Sequence, residues 1–284
     1  MKNKALKRYI YSLSPLLFLL LLCSYKTEAP VKKTKKDTVN ASFKMRTLII
    51  DAGHGGHTGA AGSYSTEEGV TLALAFKLQK AVEKNIPSLR VVMTRTTPAG
   101  VSLQKRSDIA NDNKGDLFIS LHCNSLSDKW SYSHGRKIRV PDKSGRGVLL
   151  LVYGFHRDKE EAAALRENLF EEKDGGKGVT AGFDPNDPTS MILLNAFKAK
   201  YRKNSLRFAN LVNGEFVDTD GRHSDGVKEQ GVLVLCHSAM PAVLIETGFI
   251  NNPTDEEYLN SEAGQNEIVA SIVRALIEYK KEVE

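Results

Sequence analysis

The chain has 284 residues, of which 41% are hydrophobic and 26% charged, as in one globular domain or two small ones. This composition excludes collagen-like, coiled-coil and fully disordered chains, and three cysteines are too few for a disulfide scaffold. The first 44 residues carry ten Lys and Arg against two acids, so they account for the net charge of +6; the remainder has 30 basic and 32 acidic groups. A nucleic-acid-binding domain concentrates positive charge on its folded part, so no nucleic-acid partner is expected.

Residues 1–23 have the pattern of a secretory signal peptide. Four basic residues among the first eight precede an apolar run at 15–23, which is shorter than the roughly 20 residues of a membrane span. This pattern predicts export to the periplasm or cell envelope. Cys23 fits a lipid anchor and membrane attachment through the N-terminus, but Leu22 is bulkier than the residue usual before a lipidated cysteine, so lipidation stays open. Residues 24–44 are Lys-rich and aperiodic, which predicts a flexible tether.

Short apolar strands alternate with helices from residue 45 to residue 284. Strands are predicted at residues 46–52, 89–94, 116–122, 147–153, 231–236 and 241–247, and helices at 70–82, 101–111 and 265–281. This alternation predicts a single α/β domain with a mostly parallel twisted sheet and helices on both of its faces.

A helical insertion at about 155–212 interrupts the alternation. The 77 residues between the fourth and fifth predicted strands exceed the length that a simple crossover needs. Helical spacing occurs at about 159–170 and again at about 189–212, with a Gly-rich break between them. The segment is therefore expected to have structure of its own.

Four titratable residues stand at the ends of predicted strands or at the start of the following helix, where open α/β sheets gather their ligand sites. His54 follows the first strand in DAGHGG, Glu67 opens the next helix, His122 closes DLFISLH and Glu246 closes AVLIE. Two neutral imidazoles and a carboxylate suit a catalytic Zn²⁺. The pattern suggests that His54, Glu67 and His122 bind zinc, and that Glu246 acts as general base and then acid in a hydrolysis.

Spacing alone leaves other interpretations of these residues open. A single histidine at a strand end is more often a hydrogen-bonded structural residue, and Glu67 could interact with the helix dipole. The Gly-rich loop could cradle a phosphate, although it lacks the Lys-Ser/Thr of a P-loop. Glu246 is harder to explain structurally, because an ionised carboxylate in an apolar strand is costly unless it is paired or near a metal.

Several separated motifs resemble the zinc-dependent N-acetylmuramoyl-L-alanine amidases. They are TLIIDAGHGG at 47–56, EEGVTLALA at 67–75, TR at 94–95, DLFISLHCN at 116–124 and MPAVLIETGFINN at 240–252. The motifs follow the family's order over almost the whole folded part. The departures are small: Ala52 stands where the family often has Pro, Cys123 where Ala is common, and Asn251 where a small residue is usual.

The resemblance implies an exported peptidoglycan hydrolase. It implies cleavage of the amide between the lactyl group of N-acetylmuramic acid and the L-alanine of the stem peptide. It also implies that His54, Glu67 and His122 hold the zinc and that Glu246 is the catalytic carboxylate. Glu67 is favoured over Glu68, because the family often has Lys at the second of these positions.

The insertion resembles the extra segment of cell-division amidases at 164–172, 187–195 and 198–210. In those enzymes a helix of this segment blocks the zinc cleft until a protein activator displaces it, which implies autoinhibition and an activator here. Glu167 is the implied occupant of the open zinc position. The alternative is a surface glutamate on an amphipathic helix.

Two other functions stay open beside the amidase. One is a zinc carboxypeptidase-like peptidase that cuts within the stem peptide, and the other is a non-catalytic wall-binding or activator module. Of the remaining residues, His57 is a weaker candidate for a substrate contact, and Trp130 and Tyr132 are candidates for stacking on sugar or peptide. Cys123 and Cys236 are expected to be buried thiols, with a disulfide between them left open.

Overall fold

A six-stranded sheet forms the centre of the fold, and the computed structural model describes residues 43–154 and 188–284. Strands β1 to β8 span Thr47–Ala52, Arg90–Met93, Leu117–Asn124, Lys129–Ser133, Arg136–Val140, Val148–Tyr153, Ser224–Gln230 and Ala242–Phe249. Helices α1 to α6 span Glu67–Asn85, Leu103–Asp112, Pro188–Gly214, Leu233–Cys236, Pro253–Asn260 and Glu262–Val283, and a π-helical turn over Glu215–Thr219 extends α3.

The sheet has the strand order β2-β1-β3-β8-β6-β7. Strands β2, β1, β3 and β8 are mutually parallel, whereas β6 is antiparallel to β8 and parallel to β7. The carboxyl ends of the four parallel strands therefore meet at one edge of the sheet. The predicted α/β fold with a mostly parallel sheet is confirmed.

Helices cover both faces of this sheet, as predicted. Because successive strand residues point to opposite faces, Leu48 and Ile50 join one hydrophobic core and Ile49 joins the other. The first core lies under α1, α3 and α6, and the smaller second core lies under α2 and α4. Burial on both sides explains why the central strands are continuous apolar runs.

The strand predicted at residues 231–236 is wrong. This apolar run forms the short helix α4, Leu233–Cys236, and the neighbouring strand is β7, Ser224–Gln230, just before it. A short apolar run fits a buried helical turn as well as a buried strand, and β7 lies at the sheet edge with a polar sequence that carries no strand signal.

Two further elements were not predicted. The hairpin β4–β5 is mostly exposed, so its sequence lacks apolar alternation. The start of helix α5 has a sequence pattern typical of helix N-termini, Asn252 followed by Pro253. In the structure Asn252 caps the helix by accepting hydrogen bonds from the amides of Thr254 and Asp255.

The second half of the predicted insertion belongs to the hydrophobic core. The helix expected at about 189–212 is present as α3, and its residues Phe208, Ala209 and Val212 are buried against the sheet. The helix expected at about 159–170, together with Glu167, lies outside the described residues, as do the leader at 1–23 and nearly all of the tether. Within 43–154 and 188–284, no helix has the length and apolarity needed to cross a membrane.

Glu256 on α5 connects the loop before α1 to the segment after β8. Its side chain is 1% exposed and accepts hydrogen bonds from the backbone amides of Ser63, Tyr64 and Ser65 at 2.8 to 3.0 Å, and from the Ser65 hydroxyl. Burial alone would raise the pKa of Glu256, but these donors outweigh burial and hold the pKa below its ordinary value.

The substitution Glu256→Gln removes this charged acceptor with little change in shape. We expect the free energy of unfolding at pH 7 to fall by about 1–3 kcal/mol, since three part-buried backbone amides lose a charged acceptor. The lowered pKa makes the contribution of Glu256 complete above its unfolded pKa of about 4.3 and progressively lost as the pH falls through the folded value. Urea unfolding at pH 7, 4 and 3 should therefore show the difference between wild type and variant shrinking towards acid.

Glu257 is the matched control, because it neighbours Glu256 on the same helix and is exposed. Glu257→Gln should change the unfolding free energy by no more than about 0.5 kcal/mol. A Glu256→Gln deficit of equal size at pH 3 and pH 7 would contradict the role of the carboxylate charge.

Candidate metal centre

The four residues singled out from the sequence lie at the carboxyl edge of the parallel strands. His54 follows β1, Glu67 is the first residue of α1, His122 lies near the end of β3 and Glu246 lies in β8. Each of the four is at most 1% exposed. Glu246 pairs in register with His122 on the adjacent strand, so both side chains emerge at the same level of the sheet.

Three of these side chains converge on one point. The Glu67 Oε1 atom lies 3.3 Å from His54 Nε2 and 3.2 Å from His122 Nδ1. One donor atom from each residue lies within 4.8 Å of the other two. Ligands about 2.1 Å from a tetrahedral ion are about 3.4 Å apart, so this spacing suits a small metal ion.

The Glu67 carboxylate is held by two backbone amides. Cys123 N donates to Oε1 and Ala60 N donates to Oε2, each at 2.8 Å. One amide belongs to β3 and the other to the loop before α1. The carboxylate is therefore oriented by the backbone of both segments that flank the site.

Glycines at 53 and 59 allow the two imidazole rings to pack against the loop. A Cβ atom on Gly53 would lie 2.5 Å from the His122 ring, and one on Gly59 would lie 2.8 Å from the His54 ring. Gly59 also has φ +88°, a conformation that L side chains rarely adopt. Larger residues at these positions would displace the rings from their convergent arrangement.

Two buried arginines hold the backbone of the turn that carries His54. Arg95 donates to the carbonyl oxygens of Ala52 (2.8 Å) and Gly53 (2.7 Å), and Arg106 donates to those of Ala52 (2.8 Å) and His54 (2.6 Å). His54 itself has φ 58°, in the left-handed region that non-glycine residues seldom occupy. The guanidinium groups stabilise this turn in the form that directs the His54 ring towards Glu67.

Asp51 supplies the counter-charge for this arrangement. It is fully buried, lies 2.7 Å from Arg106 Nη1 and accepts hydrogen bonds from the hydroxyls of Ser120 and Thr94. Burial alone would raise the pKa of Asp51, but the Arg106 charge and these donors hold it below its ordinary value. Burial, together with the charge of Arg106, lowers the pKa of Arg95 to about 10, which leaves Arg95 charged at neutral pH.

The other sequence candidates lie away from the converging donors. His57 has a side chain that is 95% exposed, with Nδ1 3.4 Å from Glu68. Glu68 also accepts a hydrogen bond from the His57 backbone amide at 2.7 Å, so it braces the loop outside the donor cluster. Cys123 and Cys236 are both buried and form no disulfide with each other, and Cys123 packs in the first core, on the face opposite His122.

The arginines and Asp51 were not identified as site residues from the sequence. The sequence does indicate that Asp51 is a buried charge, because it is a carboxylate inside an apolar strand. The indication for Arg106 is weaker: it stands between Leu103 and Ala110 on the buried face of α2. Neither pattern indicates which partner the charge finds, since Asp51 and Arg106 are 55 positions apart.

Comparison with known proteins gives one consistent family. The family described as N-acetylmuramoyl-L-alanine amidase matches residues 48–278. The N-acetylmuramoyl-L-alanine amidase AmiA of Salmonella typhimurium is 29% identical over 87% of this chain and 78% of its own length. A putative N-acetylmuramoyl-L-alanine amidase of Buchnera aphidicola is 31% identical over 82% of this chain and 95% of its own length.

Solved structures agree with the fold. An N-acetylmuramoyl-L-alanine amidase from Clostridium difficile superposes with a TM-score of 0.60 at 22% identity, covering 85% of this chain and 100% of that one. At this identity the likeness supports the arrangement of the sheet and helices.

Arg106→Met tests the buried ion pair. The methionine fills part of the volume but leaves the Asp51 charge buried without its cation and removes donors from two carbonyls of the turn. We expect the free energy of unfolding to fall by about 3–5 kcal/mol, measured by urea denaturation. Arg207→Met is the control, because the Arg207–Glu282 pair (3.1 Å) is about one-third exposed and should contribute less than about 1 kcal/mol. Equal losses in the two variants would contradict the importance of the buried pair.

Proposed function

Since the chain belongs to the N-acetylmuramoyl-L-alanine amidase family, we propose that it is an exported, zinc-dependent member that uses His54, Glu67 and His122 as metal ligands. The reaction is hydrolysis of the amide between the lactyl group of N-acetylmuramic acid and the L-alanine of the stem peptide. The observation that carries the proposal is the convergence of two imidazoles and one carboxylate within 4.8 Å at buried positions.

The donor chemistry fits zinc better than the other common divalent ions. Two nitrogen donors and one carboxylate match catalytic zinc sites, which leave a fourth position for water or substrate, whereas Ca²⁺ and Mg²⁺ prefer oxygen donors. Zinc bound there supplies Lewis acidity, which lowers the pKa of water to about 7 and polarises the scissile carbonyl. The chain's own part is to hold three ligands rigidly through the backbone contacts of Glu67 and the arginine-braced turn.

Glu246 is the proposed general base. Glu246 pairs in register with His122 on the neighbouring strand, and its side chain is excluded from solvent. A carboxylate oxygen of Glu246 accepts a proton from the attacking water and then delivers it to the leaving nitrogen of L-alanine. The amide carbon becomes the lactyl carboxylate, and the stem peptide leaves with a free amino group.

Export and retention near the membrane are proposed from the first 44 residues. The basic start and the short apolar run support a cleaved signal peptide. Cys23 is the position for a lipid anchor, and the Lys-rich tether at 24–44 would then give the catalytic domain reach from the membrane.

The proposal includes autoinhibition by the insertion and release by a protein activator, with Glu167 as the carboxylate that occupies the open zinc position. The described residue Tyr153, at the end of β6, lies at the sheet edge opposite the metal centre, because β6 is antiparallel to β8. The 33 residues from 155 to 187 have a maximum reach of about 110 Å, whereas the eight-residue β3 is about 26 Å long. The length of the segment is therefore compatible with an inhibitory contact.

Two substitutions separate metal binding from proton transfer. His122→Ala should lose zinc, because only two donors remain. Glu246→Gln should keep zinc and fold while turnover falls by about 10²–10⁴-fold, since the amide cannot accept the water's proton. Metal content is measured by mass spectrometry of the intact protein and turnover by release of stem peptides from purified peptidoglycan.

His57→Ala is the control for these variants, because its side chain is exposed and lies outside the donor cluster. It should retain zinc and activity. Free stem peptides that begin at L-alanine, lost with a chelator, support the amidase; shortened peptides still attached to sugar would replace it with a stem-peptide peptidase. Near wild-type turnover by Glu246→Gln would contradict the assigned base.

Glu167→Gln tests the proposed inhibition. Removing the charged ligand should raise the initial rate of the full-length protein without activator, because the open zinc position becomes available to substrate. Glu172→Gln, a neighbouring change of equal charge, should leave the rate unchanged. If Glu167→Gln has the wild-type rate at equal zinc content, Glu167 is not the inhibitory ligand.

A further inference from the structure

The hairpin β4–β5 presents an aromatic and cationic face that the proposed metal centre does not use. Trp130 pairs in register with Arg139, and Tyr132 pairs with Lys137. Cross-strand partners lie on the same face of an antiparallel pair, so these four side chains share one surface. Trp130 is 60% exposed and Tyr132 is 75% exposed.

The positive charge of this face is held close to the Trp130 ring. Lys137 Nζ lies 4.5 Å from the centroid of the Trp130 ring, and Arg139 Cζ lies 5.7 Å from it, within the range of cation–π contacts. Residues 129–146 contain six Lys or Arg and a single acidic residue, Asp142, which pairs with Lys129 at 3.1 Å. The surface is therefore suited to an anionic partner.

The hairpin is mounted at the same sheet edge as the metal centre. Asn251, in the turn after β8, donates hydrogen bonds to the carbonyls of Leu126 (2.9 Å) and Asp142 (3.0 Å), on either side of the hairpin. Asn252 donates to the carbonyl of Lys143 at 2.9 Å. Both ends of the hairpin are thus fixed to the segment that follows Glu246, and Asn251 stands where the resembling family usually has a small residue.

The proposed reaction changes the charge of its substrate. Water adds a hydroxyl to the lactyl carbonyl carbon, the carbon–nitrogen bond breaks, and the nitrogen takes a proton. At neutral pH the glycan keeps a new carboxylate, and the peptide carries away the amino group. Every stem peptide removed therefore leaves one carboxylate on the sugar chain itself, while the peptide's own carboxylates leave with the peptide.

We propose that the β4–β5 face binds the glycan strand of peptidoglycan and prefers the strand from which stem peptides have been removed. Trp130 and Tyr132 stack on sugar rings, and Lys137 and Arg139 pair with the freed lactyl carboxylates. This inference rests on the proposed amidase function. Its consequence is that the enzyme stays on the strand it has processed while a neighbouring amide enters the site.

The distribution of side chains favours a polysaccharide over a lipid surface. The hairpin tip is Ser133, His134 and Gly135, which offers no apolar side chain for insertion. Ile138 pairs with Ser131 and so lies on the opposite face from the two aromatic rings. Membrane-binding surfaces instead group their apolar side chains on one side.

The test measures binding of end-labelled glycan strands of equal length, with and without stem peptides, by fluorescence anisotropy. The full-length protein is used in the Glu246→Gln background, so that peptide-bearing strands stay intact. We expect the peptide-free strand to bind about tenfold more tightly, a difference of about 1.4 kcal/mol. Lys137→Gln with Arg139→Gln should abolish this preference, and Trp130→Ala with Tyr132→Ala should weaken binding of both strands.

Arg136→Gln with Lys143→Gln is the charge-matched control, because Arg136 pairs with Ser133 on the other face and Lys143 lies outside the hairpin. It should leave affinity and preference unchanged. The proposal would be overturned if the control lost as much glycan affinity as Lys137→Gln/Arg139→Gln, or if every variant bound glycan strands like the wild type. It would also be overturned if the variants lost binding only to phosphatidylglycerol vesicles, measured in parallel.

A second assay keeps this inference separate from the proposed function. With Glu246 intact, the wild type and the control Arg136→Gln/Lys143→Gln should release the peptide from a soluble disaccharide-peptide at equal rates, because the control leaves the four side chains of the β4–β5 face unchanged. A wild-type protein that leaves this amide uncut refutes the amidase. Wild-type cleavage combined with hairpin-independent strand binding refutes the glycan-binding face alone.

Discussion

The buried ion pair between Asp51 and Arg106 is the contact on which the geometry of the candidate metal centre depends. The turn after β1 directs its carbonyls away from the strand ladder and places His54 in a left-handed backbone conformation. Such carbonyls need donors when they are buried, and Arg95 and Arg106 provide them. Two guanidinium groups cannot be buried without a counter-charge, and Asp51 at the end of β1 supplies it.

The two faces of the sheet differ in the polarity of the side chains that they bury. Alternation along β1, β3 and β8 sends Asp51, Ser120, His122 and Glu246 to the face that also carries Ile49, Phe118 and Leu244. The opposite face is almost entirely apolar and packs under α1, α3 and α6. The larger core therefore supplies most of the hydrophobic stabilisation. The face with the smaller core also holds a buried polar network, which orients the candidate site side chains.

Contacts between distant loops assemble the surroundings of the site at the carboxyl edge of the sheet. Glu256, after β8, binds the amides of the loop that leads to Glu67. Asn251, from the same segment, fixes both ends of the β4–β5 hairpin. The end of β8 thus connects the proposed base, the loop before the candidate metal ligand Glu67 and the surface proposed for the glycan strand.

The sequence by itself determined the α/β class and the mostly parallel sheet, since apolar periodicity is a local signal. Its short motifs also singled out His54, Glu67, His122 and Glu246 as candidates, and the structure places them at one edge of the sheet. The sequence misassigned residues 231–236, because a short apolar run fits a buried helical turn as well as a strand. It missed the hairpin β4–β5, because mostly exposed strands carry no apolar alternation. Only the tertiary structure decided that Arg106 meets Asp51 across 55 positions and that Glu256 holds a loop almost 200 positions away. These partners are set by the packing of strands and helices that are distant in sequence, and no spacing within the chain encodes them.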